Sequence, residues 1–144
     1  MKLAGVDQDE VDVGLAAAAQ QTLRWAANSL LRASGNARGV AIVHRGKTVL
    51  RRGIMGRAQT VELGPIVNKA CDQGEQAYLA DLQILPGRFE FTYLPANTQS
   101  IIIQPFGGES AVIVISDKVR GFTGLDLTMV PSITRLVAQT LDDA

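Results

Sequence analysis

Two side chains in this 144-residue chain have types suited to metal or redox chemistry, and each stands alone. His44 is the only histidine, at the end of the apolar run Gly39-Val-Ala-Ile-Val-His44 and beside Arg45. One histidine is enough to hold a haem iron axially, so His44 is a haem-binding candidate. The competing reading is a strand-end residue at a wet turn. Cys71 is the only cysteine. It forms no internal disulfide and no multi-cysteine metal site within one chain. It is the second haem-binding candidate, and would be redox-active if nearby cations or a helix N-terminus favoured its thiolate. Its place near the end of a short helix, between Ala70 and Asp72, suits a small buried residue better. No Cys-x-x-Cys-His segment exists for c-type haem attachment to this chain itself.

Arg45, Lys47, Arg51, Arg52 and Arg57 concentrate positive charge on one hairpin and the loop after it. Such a cluster suits lipid headgroups, haem propionates or an acidic partner. The solvated side of a hairpin would look the same. Carboxylates are scattered, with Asp117 at a strand end and Asp126 taken by a helix cap. None pairs with a His or Ser at a spacing that suggests acid–base or nucleophilic catalysis. A Walker A motif and a dinucleotide fingerprint are absent. The reading therefore leans away from an enzyme. Fourteen basic and 14 acidic residues cancel, which leaves no surplus to drive binding to nucleic acid.

The elements that must position these residues follow from periodicity. Residues 1–10 are polar, carry acids where a signal peptide would be apolar, and are expected to be a flexible N-terminus. Residues 11–144 are expected to form a single domain. Leu15, Ala19, Leu23, Ala26 and Leu30 recur at helical steps and predict a helix from about Val11 to Ala33, stopped by Ser34-Gly35-Asn36. Trp25 lies beside that stripe and reads as a packing residue. Gly39–His44 and Thr48–Arg52 read as a hairpin. Pro65 and Gly74 bracket a short helix. Ala77–Leu85, Ser100–Gln104 and Ala111–Ser116 read as strands. Thr123 and Asp126 form a capping box, with Phe122 and Leu127 as its hydrophobic staple, before a terminal helix. The sum is an α+β fold. Its sheet is mostly antiparallel with five to six strands, and the N- and C-terminal helices pack on one face. GAF and PAS sensor modules have this GAF-like arrangement, which by itself does not give function.

The least generic stretch is Leu85–Pro105. A Pro86-Gly87 turn leads into Arg88-Phe89-Glu90-Phe91-Thr92-Tyr93, then Pro95-Ala96-Asn97, then Ile101-Ile102-Ile103. The alternation predicts a hairpin with Phe89, Phe91 and Tyr93 inward and Arg88, Glu90 and Thr92 outward. A recognition surface beside a well-packed edge is the sharper reading.

Tyr78-Leu79, Pro86-Gly87-Arg88, Glu90-Phe91, Leu94-Pro95-Ala96-Asn97-Thr98-Gln99, Arg120-Gly121-Phe122-Thr123 and the segment Leu23–Leu31 carry a likeness. Together they make most of residues 20–140 resemble the B-type "cofactor assembly of complex C" family of cyanobacteria and chloroplasts. The resemblance implies an assembly factor for the cytochrome b6f complex that assists covalent haem attachment to cytochrome b6. It acts on the stromal or cytoplasmic side of the thylakoid membrane. The implied partners are a related family subunit or a second copy, and apocytochrome b6. The implied membrane association runs through an anchor that this chain does not contain. Haem would be a transient ligand, with no cofactor required for folding. Arg88, Glu90, Tyr93, Asn97 and Gln99 are partner-binding candidates because they belong to the matching motif, and Arg51 and Arg52 because they belong to the basic cluster. The alternative function is a GAF-type small-molecule sensor with an apolar cavity near residues 53–64.

Overall fold

The computed structural model describes residues 2–142. Met1 and residues 143–144, the outer ends of the expected terminus and domain, lie outside them. One six-stranded antiparallel sheet runs in the order β1 (Val6–Val11), β3 (Lys47–Met55), β2 (Ala37–His44), β6 (Ser110–Ser116), β5 (Ser100–Gly107), β4 (Ala77–Leu79). The helices α1 (Ala17–Ala33) and α3 (Gly124–Asp142) cover one face, and α2 (Pro65–Gln73) with the 80–99 segment covers the other. Strand parity divides the core accordingly. Val40, Ile42, Ile102, Val112 and Val114 meet Leu23, Ala27, Leu30, Val130 and Val137 of the helices. Ala41, Val43, Ile101, Ile103 and Ile113 meet Val67, Cys71, Leu82, Phe91 and Tyr93. Both faces of β6 are therefore buried, as its unbroken Ala-Val-Ile-Val-Ile run requires.

The local signals with a stereochemical cause behave as read. Pro65 opens α2, and Gly74 closes it at φ 67, a left-handed position where a side chain would be strained. At α3, the Thr123 amide donates to Asp126 Oδ2 at 2.8 Å and the Asp126 amide to Thr123 Oγ1 at 3.2 Å. Phe122 and Leu127 share one apolar cluster beside that cap.

Four expectations are corrected. Residues 6–10 are not a frayed terminus: they belong to β1, paired along β3 from Val6 opposite Met55 to Val11 opposite Leu50. That pairing delays α1 to Ala17, after a turn in which the Gly14 amide donates to Asp12 Oδ1 at 2.9 Å. The strand expected over Ala77–Leu85 ends at Leu79. Leu79, Leu82 and Leu85 are spaced by three, which fits the 3-10 turn at Leu82–Ile84 rather than a strand. The hairpin expected over 88–93 is instead a 3-10 turn, Pro86–Glu90, continued by amide bonds from Phe91 to Arg88 O (3.1 Å) and from Leu94 to Phe91 O (3.2 Å). Phe91 and Tyr93 point inward as expected, but Phe89 is 73% exposed. Trp25 is 55% exposed on α1 rather than packed.

Candidate functional surface

The two haem-binding candidates sit on opposite faces of the sheet. His44 ends β2 on the helix-covered side. Its ring stacks on Phe106 at 6.1 Å, and its Nε2 lies 4.0 Å from the Asp142 carboxylate at the end of α3. Cys71 lies on the other side within the α2 core, where its thiol donates to Ser110 O at 3.5 Å. Burial pushes the thiol pKa up. The Ser110 contact opposes that shift, and Asp72 and Glu109 reinforce it. A thiol held protonated is a poor metal ligand and a poor nucleophile. The two residues cannot grip one iron between them, and neither fits an open ligand site.

The basic cluster is likewise taken apart. The Arg51 side chain is 3% exposed. Its Nε and Nη2 donate to Glu10 Oε2 at 3.2 and 2.9 Å, and its Nη1 donates to Ala58 O at 2.6 Å. Arg52 points to the other face and donates to Asn28 Oδ1 of α1 at 3.2 Å. Lys47 pairs with Asp12 at 2.8 Å, and this contact leads the causes that hold the Asp12 pKa below the usual carboxylate range. Arg24 of α1 pairs with Asp9 of β1. The acids of residues 7–12, which read as a terminal tail, are the counter-charges of the hairpin.

Residues 85–99 do form one surface, but most of their polar groups are committed inward. Glu90 serves α2: its Oε1 accepts the Ile66 amide at 2.7 Å and its Oε2 the Val67 amide at 3.4 Å. A carboxylate there satisfies free donors and meets the positive end of the helix dipole. Gly64 makes room for it, since a Cβ at that position would stand 2.6 Å from the Glu90 side chain. Tyr93 is fully buried, edge-on to Phe91 at 6.0 Å, and burial, with Glu90 and Cys71 nearby, raises its hydroxyl pKa. Asn97 holds the N-terminal segment, accepting the Ala4 amide at 2.7 Å and donating to Lys2 O at 2.9 Å. Gln99 Nε2 donates to Asn97 O at 2.7 Å. Arg88 alone of these faces outward. Its guanidinium lies 4.2 Å over the Phe89 ring, and its Nη1 donates to Leu85 O at 3.3 Å. Beside it runs an open cleft of about 320 Å3 lined by Leu82, Gln83, Phe91, Thr92, Leu94 and Pro95, among others.

Sequence reasoning missed the exposed aromatic and aliphatic side chains. Trp25 and Leu136 line a shallow hollow on the outer side of α1 and α3. Trp25 adjoins the main apolar stripe of α1 without joining it, a signal that favoured packing and solvent equally. The deep apolar cavity expected near residues 53–64 gives way to packing: Met55 and Val61 are core residues there. The hollow beside them is bordered by Gln8, Glu10, Arg51, Arg57, Gln59 and Thr60, among others. Among the described residues, no helix is long and apolar enough to cross a membrane, and no cluster of three or more metal-ligating side chains is present.

The model of the CCB2/CCB4 family, described as B-type cofactor assembly of complex C, matches residues 1–136. The chloroplastic CCB4 protein of Arabidopsis thaliana, named for the same cofactor assembly of complex C, is 30% identical over 148 residues, covering 95% of this chain and 50% of that protein. The chain thus spans about half the length of this curated relative. Among solved structures, a type II free methionine-R-sulfoxide reductase from Thermoplasma acidophilum superposes with a TM-score of 0.72 at 21% identity, over 87% of this chain and 92% of that one. A GAF domain/HD domain protein from Geobacter sulfurreducens gives 0.57 at 10% identity, over 87% and 92%. At such identities the likeness shows the fold alone, and that fold is GAF-like.

Proposed function

The chain belongs to the CCB2/CCB4 family of cofactor assembly of complex C, and from that premise we propose that it is an assembly factor of the cytochrome b6f complex. In this reading it assists covalent haem attachment to cytochrome b6 as a protein-holding scaffold at the thylakoid membrane. The family match over residues 1–136 is the observation that carries the proposal. The chloroplastic relative supports the compartment.

The geometry favours holding over chemistry. The chain's thiol is buried and protonated, and its histidine is stacked and flanked by a carboxylate. What the domain offers is rigid surface. A scaffold of this kind lowers the cost of encounter by keeping the apocytochrome cysteine near the haem vinyl group. Trp25 and Leu136 on the helical face are the anchor for the related subunit, since exposed tryptophans concentrate binding energy at interfaces. The cleft beside Arg88 and Phe89 is the contact for the apocytochrome.

Co-purification tests this. Tagged chain mixed with its related family subunit should retain apocytochrome b6, and Trp25→Ala should release the subunit. Failure of both the chain and the reconstituted pair to retain apocytochrome b6 would contradict the scaffold. A parallel absorbance titration with haem should show no Soret shift that His44→Ala removes.

A further inference from the structure

At one end of the sheet two loops are pinned together. The Arg120 amide donates to Ala80 O at 2.8 Å, and Ser100 Oγ donates to Lys118 O at 2.7 Å. This sets residues 117–120 beside the 3-10 turns of 82–90. Ile84 and Phe89 project from those turns at 76% and 73% exposure, and Val119 projects from the neighbouring loop at 46%. None of the three joins either core cluster. Single exposed apolar residues are ordinary, but three on adjoining tight loops make a patch.

The charges around the patch have one dominant sign. Arg88 lies over the Phe89 ring, and Lys118 and Arg120 bracket Val119. Of the carboxylates in these segments, Asp117 is paired with Arg38 at 3.3 Å, and Glu90 is turned to α2. Asp81 alone remains to oppose three cations. Hydrogen-bonded turns hold the apolar side chains as separate protrusions. A rigid protein partner would need a matching socket for each, whereas a fluid bilayer accepts them in any arrangement.

We propose that this end of the sheet docks on an anionic lipid bilayer. Ile84, Phe89 and Val119 enter the interfacial region, and Arg88, Lys118 and Arg120 meet headgroup phosphates. The proposal stands on the patch itself and does not depend on the assembly role. Its failure and the failure of apocytochrome capture are read in separate assays.

The test is co-sedimentation of the 144-residue chain with vesicles of phosphatidylcholine, with and without phosphatidylglycerol. Binding is expected to the phosphatidylglycerol vesicles, and to weaken as salt screens the headgroups. Lys118→Gln and Arg120→Gln should each weaken it about fivefold. Ile84→Ser with Phe89→Ser should weaken it at least about tenfold. Trp25→Ala, on the helical face, should leave it unchanged. All replaced side chains are exposed, so unchanged circular dichroism will show that the variants are folded. No sedimentation with anionic vesicles would overturn the proposal, as would binding that survives both sets of substitutions. So would self-association abolished by Phe89→Ser without vesicle binding, which would make the patch a protein interface.

Discussion

Removing Glu10 should damage the fold more than removing Arg51, although Arg51 is the larger and more deeply buried of the pair. The side chains are 3% and 52% exposed, and the guanidinium spends two of its hydrogen bonds on Glu10 and one on Ala58 O. In Glu10→Ala the cation stays in the core with a single carbonyl partner. Stranding one member of a buried pair costs about 3–5 kcal/mol. In Arg51→Met the remaining carboxylate is half in water and rehydrates. The loss is then a few charged hydrogen bonds offset by apolar packing, about 1–2 kcal/mol. For a chain of this size, about 3 kcal/mol lowers the melting temperature by roughly 10 °C. The double variant should melt near Arg51→Met alone, because the stranded cation is gone. Thermal unfolding followed by circular dichroism reads all four proteins. Additive losses, or Arg51→Met as the more damaging single change, would refute the reasoning.

Three further outcomes follow from the same contacts. Glu90→Ala should destabilise the protein by about 1–2 kcal/mol in urea unfolding, by uncovering the first amides of α2, while Glu90→Gln should retain part of the effect. Cys71 should react with a disulfide reagent at pH 8 at least about a hundredfold more slowly in the folded chain than in urea, because burial raises its pKa and blocks access. Equal rates would place the thiol at the surface. Asp12 has its pKa lowered by folding, so its contribution is present above its unfolded value near 3.8 and is lost as pH falls through the folded value. The stability gap between wild type and Asp12→Asn should therefore shrink on acidification below about pH 4, measured by urea unfolding at a series of pH values.

The legible parts of this fold are those whose signal is stereochemical and local. Pro65 and Gly74 mark the ends of α2, Thr123 and Asp126 cap α3, and the apolar run in β6 announces a central strand, because each rests on backbone geometry within a few residues. What was not legible depends on distant partners. Val6–Val11 alternates poorly and reads as an acidic tail until β3 supplies Arg51 opposite Glu10. The alternation of Phe89, Phe91 and Tyr93 mimics a strand, but Pro86 starts a chain of i to i+3 bonds that rotates Phe89 outward. The candidate site fared similarly. The motif marked an important stretch, yet Glu90, Tyr93 and Asn97 shape that stretch from within. Charge counting along β3 placed Arg51 and Arg52 together, whereas adjacent strand residues point to opposite faces.

Haem staining of denatured cytochrome b6 tests the central claim most directly. It should be done in cells lacking the full-length protein that carries this chain, and again after that protein is restored. The assembly account predicts that covalently held haem disappears from cytochrome b6 when the protein is absent and returns with it. Full covalent haem in its absence would contradict the account, whatever the isolated chain binds.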